Sequence, residues 1–451
     1  MTDNGKRIPT REAMAMREVG ATSISPGTAL GLTWVFLLGI VLVPLMQHVG
    51  ELRGNRLPQA YDIFRALPTA ARTFSGGEGG FARRLLAANA ALLEEINDYE
   101  DEIEQSSVLS TTLLGPTQLF MLKTLGKGNE KAYPGQNGWL YFRPDVDYAT
   151  GPRFLHKRTL SARRLSGNEY TSAPQPDPRL AIAEFNEQLS RRGILLVVVP
   201  TPVKPEIHPE FFSTRYGQGD APVHNKSYSN LLRDLQREGV LVLDAAETLK
   251  RAIEFSGLPQ YLEADTHWKP GAMEAVARQA AHLLNEKVAF TSENREYVQA
   301  PMDVQALGDI ARMLKLPADQ ELFLPQSVSI RQVRDARTGG MWRPSRSAEV
   351  LLLGDSFSNI YSLPNMGWGQ AAGFGEQISF YLQRPVDVII QNDSGAFATR
   401  QAIYARQSRG DDPLLGKKVV IWQFATRELA LGDWKLFVDS GAADFSKHWK
   451  K

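Results

Sequence analysis

Five short apolar runs limit what this chain can fold into more than any other feature. Residues 193–200 read Gly-Ile-Leu-Leu-Val-Val-Val-Pro, 240–244 Val-Leu-Val-Leu-Asp, and 350–353 Val-Leu-Leu-Leu; 386–390 and 418–422 read Val-Asp-Val-Ile-Ile and Lys-Val-Val-Ile-Trp. Near-continuous runs of this length suit strands buried on both faces. Residues 181–192, 228–239 and 271–284 have helical character, and most of the apolar runs are separated by helical stretches. The pattern predicts an α/β sandwich whose mainly parallel sheet is covered on both sides. Such sheets bind ligands beyond the carboxyl ends of their strands. Thr201, Asp244, Ser356, Asn392 and the Gln423-Phe424 region fall there.

The third of these runs ends in Gly354-Asp355-Ser356-Phe357-Ser358. A serine where a strand turns into a helix projects its hydroxyl above the sheet, and its N–H can help bind an oxyanion. Gly-Asp-Ser is also an ordinary turn tripeptide, so the assignment needs a base. Seven histidines are available: His48, His156, His208, His224, His267, His282 and His448. His267 follows Asp265 by two residues in an extended stretch, where both side chains point the same way. A carboxylate so placed can hold an imidazole in the tautomer that accepts a serine proton. His282 lies inside the following helix and reads as structural. His208, in the proline-rich loop 200–209, is a weaker candidate to line the site. Asp-x-His supplies two metal ligands, but no second histidine cluster completes a set, and neither metal nor cofactor is expected.

Composition removes other chemistries. The 451 residues are 43% hydrophobic and 22% charged, as in a globular protein of one large domain with appendages or of two domains. Fifty-one basic against fifty acidic side chains give a net charge of +1, without the basic surplus that nucleic-acid binding requires. With no cysteine, disulfides and thiolate catalysis are excluded.

Residues 20–50 contain no Lys, Arg, Asp or Glu, and 29–46 are almost continuously apolar. That is near the minimum for one membrane span; Pro44 lies close to its end, where a kink or a helix end is tolerated. Lys6, Arg7, Arg11 and Arg17 precede it, favouring a cytoplasmic amino terminus. No clear small-x-small cleavage site follows, so an uncleaved signal anchor is preferred to a signal peptide. The expected organisation is a cytoplasmic tail over 1–28, a transmembrane anchor over 29–48, a helical linker over 49–131 and a catalytic domain over 132–451. The linker contains an amphipathic helix over 81–106. Asn137-Gly138 predicts a turn before an aromatic strand at 139–142.

Together, Asp265-Thr266-His267-Trp268 followed by Gly354-Asp355-Ser356-Phe357-Ser358 resembles the SGNH-hydrolase-like domains of bacterial polysaccharide O-acetyltransferases, in particular the alginate O-acetylases of the AlgJ/AlgX type. Ordinary SGNH esterases place Gly-Asp-Ser first and the Asp/His pair last; here the order is reversed, as in the alginate group. Asn137-Gly138-Trp139-Leu140-Tyr141, residues 199–204, Leu307-Gly308-Asp309-Ile310-Ala311 and Phe424-Ala425-Thr426-Arg427-Glu428 extend the similarity over about 132–429.

The resemblance implies Ser356 as nucleophile, His267 as base and Asp265 as its partner. It leaves Asn359 and Asn392 as candidates for the second oxyanion donor, and Tyr361, Lys204 and Arg427 as contacts for an anionic polymer. It further implies an alginate-like acceptor, a membrane-bound O-acyltransferase as donor partner, and a catalytic domain in the periplasm anchored in the bacterial inner membrane. With little chain after Arg427, the membrane-anchored AlgJ-like arrangement is expected rather than one with a carbohydrate-binding module. An acetylesterase with the same triad and a non-catalytic polysaccharide-binding scaffold are the alternatives.

Overall fold

The computed structural model describes residues 24–54, 58–76, 80–167, 173–217, 220–291, 294–392 and 395–437. The chain divides into two compact units, residues 1–114 and 115–451.

In the first unit, helix Pro26–Arg53 begins with Pro26 in its first turn, and its cap, Ser25 Oγ, accepts from Thr28 N. Its 28 residues span about 42 Å, which exceeds the ~30 Å hydrocarbon layer. None of its residues is buried, and it is long and apolar enough to cross a membrane. The helix continues through Pro44 to Arg53, so the proline does not mark its end. Helices Ala66–Gly76 and Phe81–Ser106 pack together, with Phe74 and Phe81 edge to face at 5.6 Å.

In the second unit, β1 (Ala132–Pro134) and β2 (Leu140–Phe142) form an antiparallel hairpin. Asn137 and Gly138 supply its positive-φ turn. The central sheet contains β3 (Leu195–Thr201), β4 (Leu241–Val242), β7 (Val350–Gly354), β8 (Val386–Ile390) and β9 (Val419–Ala425), in the order β4-β3-β9-β7-β8. All four pairings are parallel. β7 and β9 are buried at every residue, as strands covered on both faces must be. Phe185 of helix Pro178–Ser190 meets Trp422 of β9 edge to face at 5.5 Å.

Two elements differ from the sequence expectation. The strand expected at 240–244 is only two residues long, because Asp244 leaves it to cap helix Ala245–Ser256 through Ala246 N. A ten-residue antiparallel pair, β5 (Tyr297–Ala306) with β6 (Gln326–Asp335), had no counterpart in the sequence reading. Its strands carry many exposed positions and β5 contains Pro301, so period-2 hydrophobicity is weak there.

Candidate active site

The turn carrying Ser356 is fixed by the sheet. Asp355 leaves β7 as the cap of the short helix Ser356–Asn359, its Oδ1 accepting from Phe357 N at 2.9 Å. The same carboxylate accepts from Gln423 Nε2 at 2.9 Å and from Ala425 N at 2.8 Å, both on β9. Gln423 Oε1 accepts in return from Asp355 N at 3.1 Å and Ser358 Oγ at 2.7 Å. Gly354 is required by this close approach: a Cβ there would lie 2.4 Å from Ser358 Oγ. The Ser356 N–H, first in the helix, has no intrahelical acceptor and is available to an oxyanion.

His267 arrives on a separate loop. Tyr261 and Trp268 pair across it as an isolated bridge, and Tyr361 Oη donates to the Trp268 carbonyl at 2.6 Å. His267 Nε2 lies 2.8 Å from Ser356 Oγ, and its Nδ1 lies 2.7 Å from Asp265 Oδ1. The other Asp265 oxygen accepts from Asp309 N and from Trp368 Nε1, each at 2.9 Å. Gly308 lets the Asp309 segment reach this carboxylate, since a Cβ would sit 2.1 Å from the Ala264 carbonyl oxygen.

These contacts set the protonation states. Burial alone would raise the Asp265 carboxyl, but the hydrogen bond and charge of His267, with the Asp309 and Trp368 donors, hold it well below the usual range. Burial would lower His267; the Asp265 hydrogen bond and charge, together with the Asp309 charge, raise it instead. Asp265 is thus the carboxylate that orients His267 toward Ser356.

Asp265, His267 and Asp309 also offer ligand atoms within 4.8 Å of one another. Both Asp265 oxygens and His267 Nδ1 are already engaged, and Asp309 Oδ1 accepts from Thr266 N at 2.7 Å. A cation would have to displace these donors, so the set suits proton transfer better than metal binding.

A cleft of about 450 Å³ opens over Ser356 and His267; Asp309, Arg312, Asn365, Asn392 and Arg427 are among its walls. Asn392 therefore faces the site, and Asn359 stands behind it, donating to Asn392 Oδ1 at 3.1 Å. Arg427 faces the cleft with Nη1 2.9 Å from Asp145, a fully buried carboxyl that burial pushes up to about 6 against the pull of Arg427.

Three expected cleft residues lie elsewhere. Lys204 is fully buried, its Nζ donating to the carbonyls of Leu140 and Glu263 at 2.8 and 3.0 Å; burial lowers it to about 8. It ties β2 to the His267 loop and cannot meet a polymer. Tyr361 is likewise fully buried, its hydroxyl spent on Trp268. His208 is held between Glu210 on Nδ1 and Gln260 N on Nε2, both at 2.9 Å, away from the cleft. Conversely, Trp368, Arg312 and Asp145, the partner of the expected Arg427, had no counterpart in the sequence reading. Asp309 left a trace, in the Leu-Gly-Asp segment of the resemblance.

Residues 133–426 match the family model described as the SGNH hydrolase-like domain of the acetyltransferase AlgX. The chain belongs to this family. Its fold is accordingly the SGNH-like α/β sandwich, and Ser356, His267 and Asp265 all lie within the matched region. Relatives include the "Probable alginate O-acetylase AlgJ" of Pseudomonas aeruginosa, 22% identical over 312 residues, covering 66% of this chain and 70% of the relative. The protein of the same name from Azotobacter vinelandii is 27% identical over 189 residues, 40% of this chain and about half (47%) of the relative. Among solved structures, the O-acetyltransferase domain of Pseudomonas putida AlgJ aligns with a TM-score of 0.49 and 18% identity, covering 66% of this chain and 92% of that one.

Proposed function

We propose that this protein is a polysaccharide O-acetyltransferase acting through an acetyl-Ser356 intermediate. The observation that carries the reading is the unbroken chain Asp265–His267–Ser356, with 2.7 and 2.8 Å links, at the floor of a cleft. Ser356 Oγ attacks the acetyl carbonyl of the donor ester while His267 Nε2 takes its proton, then returns it to the departing donor oxygen. The Ser356 N–H and the carboxamide of Asn392, oriented by Asn359, stabilise the oxyanion. In the second half, a sugar hydroxyl attacks the acetyl-serine, its proton passing to His267 and from there to the leaving Ser356 Oγ.

The acceptor is an anionic, alginate-like polymer. Arg312 and Arg427 line the cleft and can meet uronate carboxylates, and the family's relatives bear alginate O-acetylase names. Helix Pro26–Arg53 anchors the chain in a bacterial inner membrane, and the basic tail before it supports a periplasmic catalytic domain. A membrane-bound O-acyltransferase supplies the acetyl group. The domain organisation is a cytoplasmic tail over 1–28, the anchor over 29–48 within that helix, a helical linker over 49–131 and the catalytic domain over 132–451.

The test supplies a soluble acetyl ester with and without polymannuronate, to wild type and Ser356→Ala. Acetate ester appearing on the polymer only with wild type is expected; transfer by Ser356→Ala would remove the nucleophile assignment. Free acetate whose release the polymer never diverts would make the protein an esterase.

A further inference from the structure

A second cleft, of about 670 Å³, shares no lining residue with the first. It lies between helix Ala245–Ser256, the start of helix Pro270–Lys287 and the first residues of β6. Arg251, Lys269 and Arg278 line it, and no carboxylate does among the described lining residues. Arg251 is exposed and Lys269 half-buried; neither side chain makes a hydrogen bond or ion pair among the described residues, and Lys269 feels only the more distant charge of Glu263. Arg278 Nη2 donates to the Tyr381 hydroxyl at 3.3 Å, and its guanidinium lies over that ring, 5.2 Å from the centroid. The neighbouring Glu274 is already paired with Arg331 at 2.9 Å. Phe255 stands at the rim 95% exposed, and the hydroxyls of Ser327 and Ser329 lie on the β6 wall.

This combination has a defined chemistry. Arginine and lysine side chains outside ion pairs recognise carboxylates, serine hydroxyls exchange hydrogen bonds with sugar hydroxyls, and a bare ring offers an apolar face to pyranose C–H groups. The cleft is also tied to the catalytic loop. Lys269 N donates to the Gln260 carbonyl at 2.7 Å, closing the base of the loop whose tip carries Asp265 and His267. The Cα atoms of His267 and Lys269 are at most about 7 Å apart.

We propose that this second cleft is a binding subsite for a polyuronate strand, holding a carboxylated polysaccharide beside the loop that carries the base. The proposal rests on the polysaccharide reading above and deepens it by naming a second contact for the acceptor.

The test uses the full chain with oligomannuronates of defined length, measured by calorimetry at low salt, and a neutral glucan as control. Arg251→Glu with Lys269→Gln is expected to weaken oligomannuronate binding at least tenfold, and Phe255→Ala severalfold, while turnover of a small acetyl ester stays at the wild-type rate. Ser356→Ala should bind like wild type. Unchanged affinity in the Arg251/Lys269 double variant, or equal binding of the neutral glucan, would overturn the subsite. Loss of polymer acetylation in Ser356→Ala beside unchanged oligomer affinity in the double variant would sink only the subsite. Weakened oligomer binding in the double variant, with no acetyl transfer to polymer by wild type, would keep the subsite and sink the transferase. If the cleft instead receives a protein partner, the double variant will lose that partner while its oligomer affinity stays put, which also overturns the proposal.

Discussion

Ser356 and His267 finish 2.8 Å apart, yet opposite means bring them there. The serine inherits its position from the core: β7 is buried throughout, and Gln423 of β9 clasps the turn through Asp355 and Ser358. The histidine sits on a loop outside the sheet, held by Asp265, Trp368, Asp309 N, Tyr361 and the buried ammonium of Lys204. One half is positioned by packing and the other by a polar network. Packing tolerates little change in volume, whereas a buried network fails when any member loses its partner.

Substitutions that strike one half and spare the other test this contrast. The largest effect is expected from Asp265→Asn, which keeps the shape but removes the charge orienting His267: acetyl-ester turnover should fall ~10⁴-fold with little change in fold. A loss below tenfold in steady-state kinetics would show that the network does not govern the base. Gly354→Ala attacks the packed half. Its Cβ would collide with Ser358 at 2.4 Å, and overpacking of this kind costs about 1–3 kcal/mol. Denaturant unfolding should show that loss together with reduced turnover; full stability would mean the turn is looser than its contacts require.

Trp368→Phe removes one of the two donors on Asp265 Oδ2. A roughly tenfold fall in kcat/KM is expected, about 1.4 kcal/mol of transition-state stabilisation. An unchanged value would assign the carboxylate's support to Asp309 N alone.

The smallest effect is a displacement in pH. His267 must be neutral to act as base, and its environment raises it above the ordinary imidazole value. Activity should therefore rise with pH through an apparent pKa above about 6.5. Asp309→Asn keeps an acceptor for Thr266 N but deletes a negative charge that raises His267, so the rising limb should move to lower pH. A shift to higher pH would contradict the electrostatics of the loop.

Legibility in the sequence follows the same division. The five strands announced themselves because a doubly covered parallel strand must be apolar at nearly every position. The Ser356 turn was readable from five consecutive residues, since a strand, a glycine and a capping aspartate are local features. Asp265 and His267 were readable as a pair from their two-residue spacing. Trp368 was not, and Asp309 showed only within a segment of the resemblance, because they lie 103 and 44 residues from the carboxylate they brace. Lys204 and Tyr361 misled for the mirror reason. Their side chains suit a polymer surface, and nothing local records that the hydroxyl and the ammonium are consumed by carbonyls inside.

The sequence alone determined the strands, the Gly-Asp-Ser turn after β7 and the Asp-x-His unit, because their apolar runs and residue spacing are local patterns. Tertiary structure decided which way that unit faces, which donors depress Asp265, and which cations line the two clefts. Hydrophobic periodicity is a property of neighbours along the chain, but the satisfaction of a buried charge depends on whatever the fold brings beside it.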